Sequence, residues 1–184
     1  MSATSLFLTL LFMALLGAIW IYNRLVRKRN QVSEAWAGID VQLQKRHELV
    51  PNLVATVKGY TAHESGLFEE VARIRAQSDA GVVETGHRET GLSRSLARLF
   101  ALAEDYPELK ANQAFQQLHA SLVDIEDHLQ FARRYYNGAV RDNNILVESF
   151  PSNLVASWFR FRPAEYFEIE LASHRLPPDV SLAN

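Results

Sequence analysis

An eighteen-residue apolar run from Ser5 to Tyr22, SLFLTLLFMALLGAIWIY, carries no charge, and Arg24, Arg27, Lys28 and Arg29 follow it directly. A helix that crosses a bilayer needs about 20 apolar residues, with roughly 17 as the lower limit. The run is long enough to span, through Leu6, Phe7, Leu10, Leu11, Phe12, Leu15, Leu16 and Ile19. Trp20 and Tyr22 fall where interfacial aromatics sit at headgroup level. The cationic cluster marks the cytoplasmic side by the positive-inside rule, and it also suits anionic headgroups.

Three other readings of this stretch fit less well. A cleaved leader carries positive charge before its apolar core and small residues at a cleavage site. No Lys or Arg precedes residue 24, and no convincing A-x-A follows. A lipoprotein anchor needs a cysteine, and the chain has none. A buried core helix would be an odd neighbour for four cations within six residues.

The expected organisation is therefore a short external N-terminus (1–4), a transmembrane helix (5–22), one cytoplasmic helical domain (23–170) and a disordered tail (171–184). Net charge is -2, so the domain is no polybasic nucleic-acid binder. The lack of cysteine excludes disulfides, thiolate-held zinc, iron–sulfur clusters and a thiol nucleophile.

Beyond the span, Val32, Trp36, Ile39, Leu43 and Val50 recur at steps of three and four, with Arg46 the charged exception. The stripe continues through Val57, Tyr60, Leu67, Val71 and Ile74, a bundle-type seam with period near 3.5. The spacing predicts that span and first cytoplasmic helix are one rod, kinked or broken near Leu49–Pro51 because an interior proline removes a hydrogen bond. Ser78–Glu89 reads as a loop and 90–105 as a second helix. A break at Tyr106-Pro107 precedes a long third rod over 108–150, striped by Leu118, Leu122, Ile125, Leu129, Ala132, Tyr136, Ala139 and Leu146. A short helix over 152–159, capped by Ser152, and an aromatic extended tail from Phe161 to Ile169 follow.

No motif carries chemistry. His47-Glu48 and His63-Glu64 lack the second histidine of a zinc helix, and Glu84/His87, the one Glu-x-x-His spacing, lies in the expected loop. No phosphate-binding glycine pattern or nucleophile elbow occurs. The strongest polar candidates are Asp40, Asn52, Lys58, His63 and Glu64 on the first rod, and Arg133, Arg134, Asn137, Arg141, Asn143 and Asn144 on the third. Paired antiparallel, they read as a polar layer that sets helix register, with a ligand site as the sharper alternative. Phe150, Trp158, Phe159, Phe161, Tyr166 and Phe167 read as an aromatic cap on the bundle end, or else as a docking interface.

Several stretches resemble the LemA family of bacterial membrane proteins. They are Ala35-Trp36, Ile39–Leu43, Arg46, Leu49–Val54, Thr56–Tyr60 and His63-Glu64, then Arg133–Asn137, Val140, Phe150–Asn153 and Phe161–Glu168. The likeness runs from Asn23 to Glu170 and is blank over 81–112. It implies an all-α, antiparallel up-and-down bundle of four-helix type on one N-terminal transmembrane helix. It carries no catalytic residue and no cofactor. Some family members are linked to magnetosome membranes, and some neighbour genes for membrane metalloproteases. The expectation is a single-pass, non-enzymatic scaffold of the bacterial inner membrane with its N-terminus outside. Its expected partners are the lipid bilayer and further copies of itself. An adaptor for a membrane metalloprotease, and a small-ligand module or enzyme on the polar layer, are the alternatives.

Overall fold

The computed structural model describes residues 3–61, 65–76 and 81–168. These residues form six helices and no strand: α1 (Ala3–Lys58), α2 (Ser65–Ala76), α3 (Val82–Glu104), α4 (Pro107–Ala111), α5 (Gln113–Glu148) and α6 (Ser152–Trp158). The chain is an all-α helical bundle with one N-terminal apolar helix long enough to cross a membrane. The most apolar window of that helix has mean hydropathy 2.2, and none of it is buried in protein. Phe7, Phe12 and Met13 stand well exposed, the pattern of a helix whose solvent is lipid.

The described chain divides into two compact units. The first comprises residues up to Gln42 together with Leu129–Tyr166. Here α1 and α5 run antiparallel: Lys28 meets Asp142, and eight residues further along α1 Trp36 meets Tyr136, six residues earlier in α5. A small core of Leu25, Val147 and Ala156 closes its α6 end, with Ile21, Leu146, Val155 and Phe161 packed around it.

The second unit comprises Leu43–His128 and the segment that begins at Phe167. Its core joins the end of α1 (Val50, Leu53, Val57), α2 (Leu67, Phe68, Val71, Ile74), α3 (Leu92, Leu96, Leu99, Ala103), Leu109 of α4, and α5 (Phe115, Leu122). Glu70 pairs with Arg98 while Ile74 lies against Gly91, so α2 and α3 are antiparallel. This core is that of an all-α helical bundle with α2 and α3 as an antiparallel pair.

Five local expectations are corrected. α1 does not break at Pro51. An interior proline costs about 3 kcal/mol. Val50, Leu53 and Val57 beside it are at most 1% exposed, and each buried side chain contributes about 1.5–3 kcal/mol, so burial wins. The first rod ends at Lys58 rather than running to Ile74, and Tyr60 lies in a turn and is exposed. The Tyr60 and Thr61 amides both donate to the Val57 carbonyl, and the chain doubles back so that α2 returns its own stripe to the same core. The expected loop is helical from Val82, because Thr85, Gly86 and Glu89 are buried and tertiary packing overrides weak local propensity. Ser78–Ala80 lies outside the described residues. The third rod is two helices: Asn112 is extended and its Oδ1 accepts from the Phe115 amide at 3.1 Å, a side-chain cap that starts α5 anew.

Ser152 is the first residue of α6 rather than its cap, a place taken by Pro151, and its hydroxyl donates to the Ser149 carbonyl. The tail over 161–168 has no regular structure, as expected. The tail beyond 168 lies outside the described residues.

Candidate functional site

Arg46 occupies the apolar seam of α1 and is only 3% exposed. A buried guanidinium needs buried acceptors, since an uncompensated charge is very costly in a low dielectric. The fold brings them from two other helices. Nη2 donates to Ser93 Oγ of α3 at 2.8 Å and faces Glu126 Oε2 of α5 at 3.2 Å, while Nη1 lies 3.5 Å from Glu89 Oε2 of α3. Glu89 is fully buried, and its other oxygen meets His47 Nε2 at 2.9 Å and Arg88 Nε at 3.5 Å. Cations and carboxylates alternate through this cluster, so charge is neutralised inside it. It fixes the register of α1, α3 and α5 at one level and leaves Glu89 inaccessible to a substrate.

Glu89 and Glu126 did not stand out in the sequence. The signal was Arg46 itself: a charged residue on a buried stripe demands a buried carboxylate somewhere else.

The first unit contains a second polar set. Lys28 Nζ donates to Asp142 Oδ2 at 3.0 Å and to Gln31 Oε1 at 3.1 Å. The Lys28 hydrogen bond, reinforced by its charge, holds the Asp142 carboxyl below its ordinary pKa. Further along α5, Asn144 clamps the tail with both ends of its amide. Its Oδ1 accepts from the Ala164 amide at 2.8 Å and its Nδ2 donates to the Ala164 carbonyl at 2.9 Å. Tyr136 donates its hydroxyl to the Glu165 carbonyl at 2.9 Å. Burial, and then the Glu165 charge, push the Tyr136 pKa up, so the phenol stays a donor.

The sequence-predicted polar layer is thus only partly a layer. Asn144 and the buried Asn143 serve the α5–tail region. Asp40 and Asn52 face solvent, Arg133 and Asn137 are half-buried, and Arg134 is exposed with its guanidinium 4.6 Å from the Phe131 ring. Lys58 lies over the Phe68 ring at 5.1 Å, and Arg141 sits beside Asp142. His63 and Glu64 lie outside the described residues. Glu84 and His87 fall on α3, not in a loop. Among the described residues, no three His, Asp or Glu side chains converge as a metal set.

The aromatic set divides. Phe167 is fully buried, so it belongs to the core and not to an interface. Phe161 is half-buried, with the Tyr22 ring 5.8 Å away and the Arg29 guanidinium 5.3 Å away. Phe150, Trp158, Phe159 and Tyr166 are exposed.

A groove of about 310 Å³ in the second unit is lined by Phe100, Lys110, Phe115 and His119, with the His119 ring edge-on to Phe100 at 4.5 Å. Its one imidazole packs against rings, an arrangement that stabilises helix contacts and offers little to a polar ligand.

The sequence profile of the LemA family matches residues 35–182. Magnetosome protein MamQ 2 of Paramagnetospirillum magneticum is 25% identical over 175 aligned residues, covering 80% of this chain and 64% of the relative. MamQ of Magnetospirillum gryphiswaldense is 24% identical over 174, covering 79% and 64%. Protein LemA of Metamycoplasma hominis is 24% identical over 137, covering 73% and 63%. The chain therefore spans a little under two thirds of the length of these relatives. Since the family profile takes in the seam of α1, the buried cluster, α5 and the clamped tail, the chain belongs to the LemA family.

Proposed function

We propose that this LemA-family protein is a membrane-anchored scaffold of the bacterial inner membrane. It spans once through Ser5–Tyr22, holds its N-terminus outside and its helical domain in the cytoplasm, self-associates, and recruits envelope partners without catalysis of its own. One observation carries the reading: α1 is a single helix from the apolar span into the buried seam, with no flexible linker between them. An enzyme reaching for substrate has little use for such a joint, whereas copies packed side by side in a bilayer benefit from a stiff one. The cluster in which Arg46 and Arg88 offset Glu89 and Glu126 supports a structural role for the buried charges. The resemblance to proteins named for magnetosomes supports an organising role.

The test is the full-length protein in lipid nanodiscs, viewed by electron microscopy, with a single cysteine at Ser2 or Ser173 for maleimide labelling in cells. Discrete multi-copy particles, Ser2→Cys labelled from outside and Ser173→Cys only after permeabilisation are the expected results. Strictly monomeric particles sink the scaffold reading, and inverted labelling sinks the topology.

A further inference from the structure

α6 has two faces. Ser152 and Ala156 are at most 5% exposed, and Ala156 packs with Leu25 of α1. The other side carries Leu154 and Trp158, 63% and 83% exposed, and Phe150, two residues before the helix, is 80% exposed. Three large apolar side chains held out within nine residues are unusual on a surface that meets only water. Their place along α1 explains them. Tyr22, the last residue of the apolar run, sets its ring 4.7 Å from that of Phe159 at the end of α6, the two planes tilted by 59°. Trp20 and Ile21 share a groove of about 380 Å³ with Phe150 and Pro151. Phe150, Phe159 and Phe161 therefore sit at the level where the apolar run ends.

We infer that α6 lies in the headgroup–acyl boundary of the leaflet from which α1 emerges, with Phe150, Leu154 and Trp158 inserted as a second, non-spanning contact with lipid. The inference rests on the reading of Ser5–Tyr22 as a membrane span. Short amphipathic helices bury their apolar face about 5–10 Å into that boundary, and Trp favours this depth. The charges agree with an anionic leaflet. Arg24 rests over Trp20 at 5.4 Å, and Arg160 and Arg162 follow α6 directly. Arg160 adopts φ 58°, the left-handed region that favours glycine. It closes α6 in a Schellman turn, with its own amide donating to the Ser157 carbonyl at 3.2 Å and the Phe161 amide to Ala156 at 2.9 Å. Together α1 and α6 give the first unit two contacts with one leaflet, enough to fix its rotation about the span as well as its depth.

The experiment uses the full chain in anionic vesicles whose lipids carry bromine at a defined acyl depth, with tryptophan emission as readout. Variants keep one tryptophan each: Trp158 (W20F/W36F), Trp20 (W36F/W158F) or Trp36 (W20F/W158F). Should W36F lower helix content, the Trp158 signal is taken instead as the difference between the full chain and Trp158→Phe. Lipids brominated near the carbonyl end should lower Trp158 emission about twofold, as expected for a ring at interfacial depth. Trp20 should be quenched as well, and Trp36 should not. Quenching of Trp20 with Trp158 unaffected overturns the inference and leaves the span intact. If Trp158 is also shielded from aqueous acrylamide, a protein covers the face instead, and the inference is equally lost. If Trp20 escapes quenching too, the span itself is refuted.

Discussion

Replacing Glu89 by leucine removes a carboxylate that is fully buried and that meets Arg46 at 3.5 Å and His47 at 2.9 Å. Shape is nearly kept, so the loss is electrostatic. Arg46, 4% exposed at its side chain, then retains only Glu126 at 3.2 Å and the Ser93 hydroxyl. Breaking one side of a buried ion pair costs about 3–5 kcal/mol. For a domain of this size that lowers Tm by about 6–20 °C. The double variant Arg46→Met/Glu89→Leu should recover part of that loss, because apolar replacement of a whole buried pair is often neutral or stabilising, while Arg88, 6% exposed, still lacks Glu89. Glu126, at 29% exposure, can rehydrate once Arg46 is gone. Scanning calorimetry of the full chain in mild detergent measures the double variant and both single changes, Glu89→Leu and Arg46→Met. A cost below about 1 kcal/mol for the single change would refute the reasoning, since that is the range of an exposed pair. So would a double variant as unstable as the sum of its singles, which means no coupling.

Asn144→Ala should free the tail while leaving the helices in place. It removes two hydrogen bonds to Ala164, together about 1–3 kcal/mol, and trypsin should then cut at Arg162 several-fold faster. Unchanged cleavage contradicts the clamp. Gly86→Ala should destabilise the second unit by about 1–3 kcal/mol, because a Cβ there would run into the backbone carbonyl of Glu168, which has no flexible end to swing aside. A melting curve that matches wild type speaks against that contact. Asp142, whose folded pKa lies below its unfolded value, should stabilise the protein above the ordinary carboxylate range and lose that contribution as pH falls through its folded pKa. The pair is partly exposed, so the effect is at most about 1 kcal/mol. The Tm gap between wild type and Asp142→Asn should narrow on acidification, and a gap independent of pH would be the wrong result.

Much of the architecture was legible in the chain because it is local. The apolar run, the cations that follow it and the three-four seams of α1 and α5 are periodic signals within one helix, and they survive in the structure. Leu122, Ile125, Leu129, Tyr136 and Ala139 are all buried as their spacing required. The Asn112 cap was legible in principle, since asparagine is a favoured cap, but the long stripe on either side hid it.

What only tertiary structure decided depends on partners distant in sequence. Whether Val82–Glu89 was loop or helix turned on the burial of Glu89 against Arg46 and His47, which weak local propensity cannot reveal. Whether the aromatics of α6 sat at the near or far end of the first unit turned on an antiparallel return that sets Asp142 beside Lys28, 114 residues away. A stripe says which face of a helix is buried and nothing about which helix covers it, because apolar burial is non-directional and only complementary charge and shape choose the neighbour. The sequence by itself determined the apolar run, the helices and their apolar faces; the fold decided which charges meet inside and which apolar side chains stay exposed beside the end of that run.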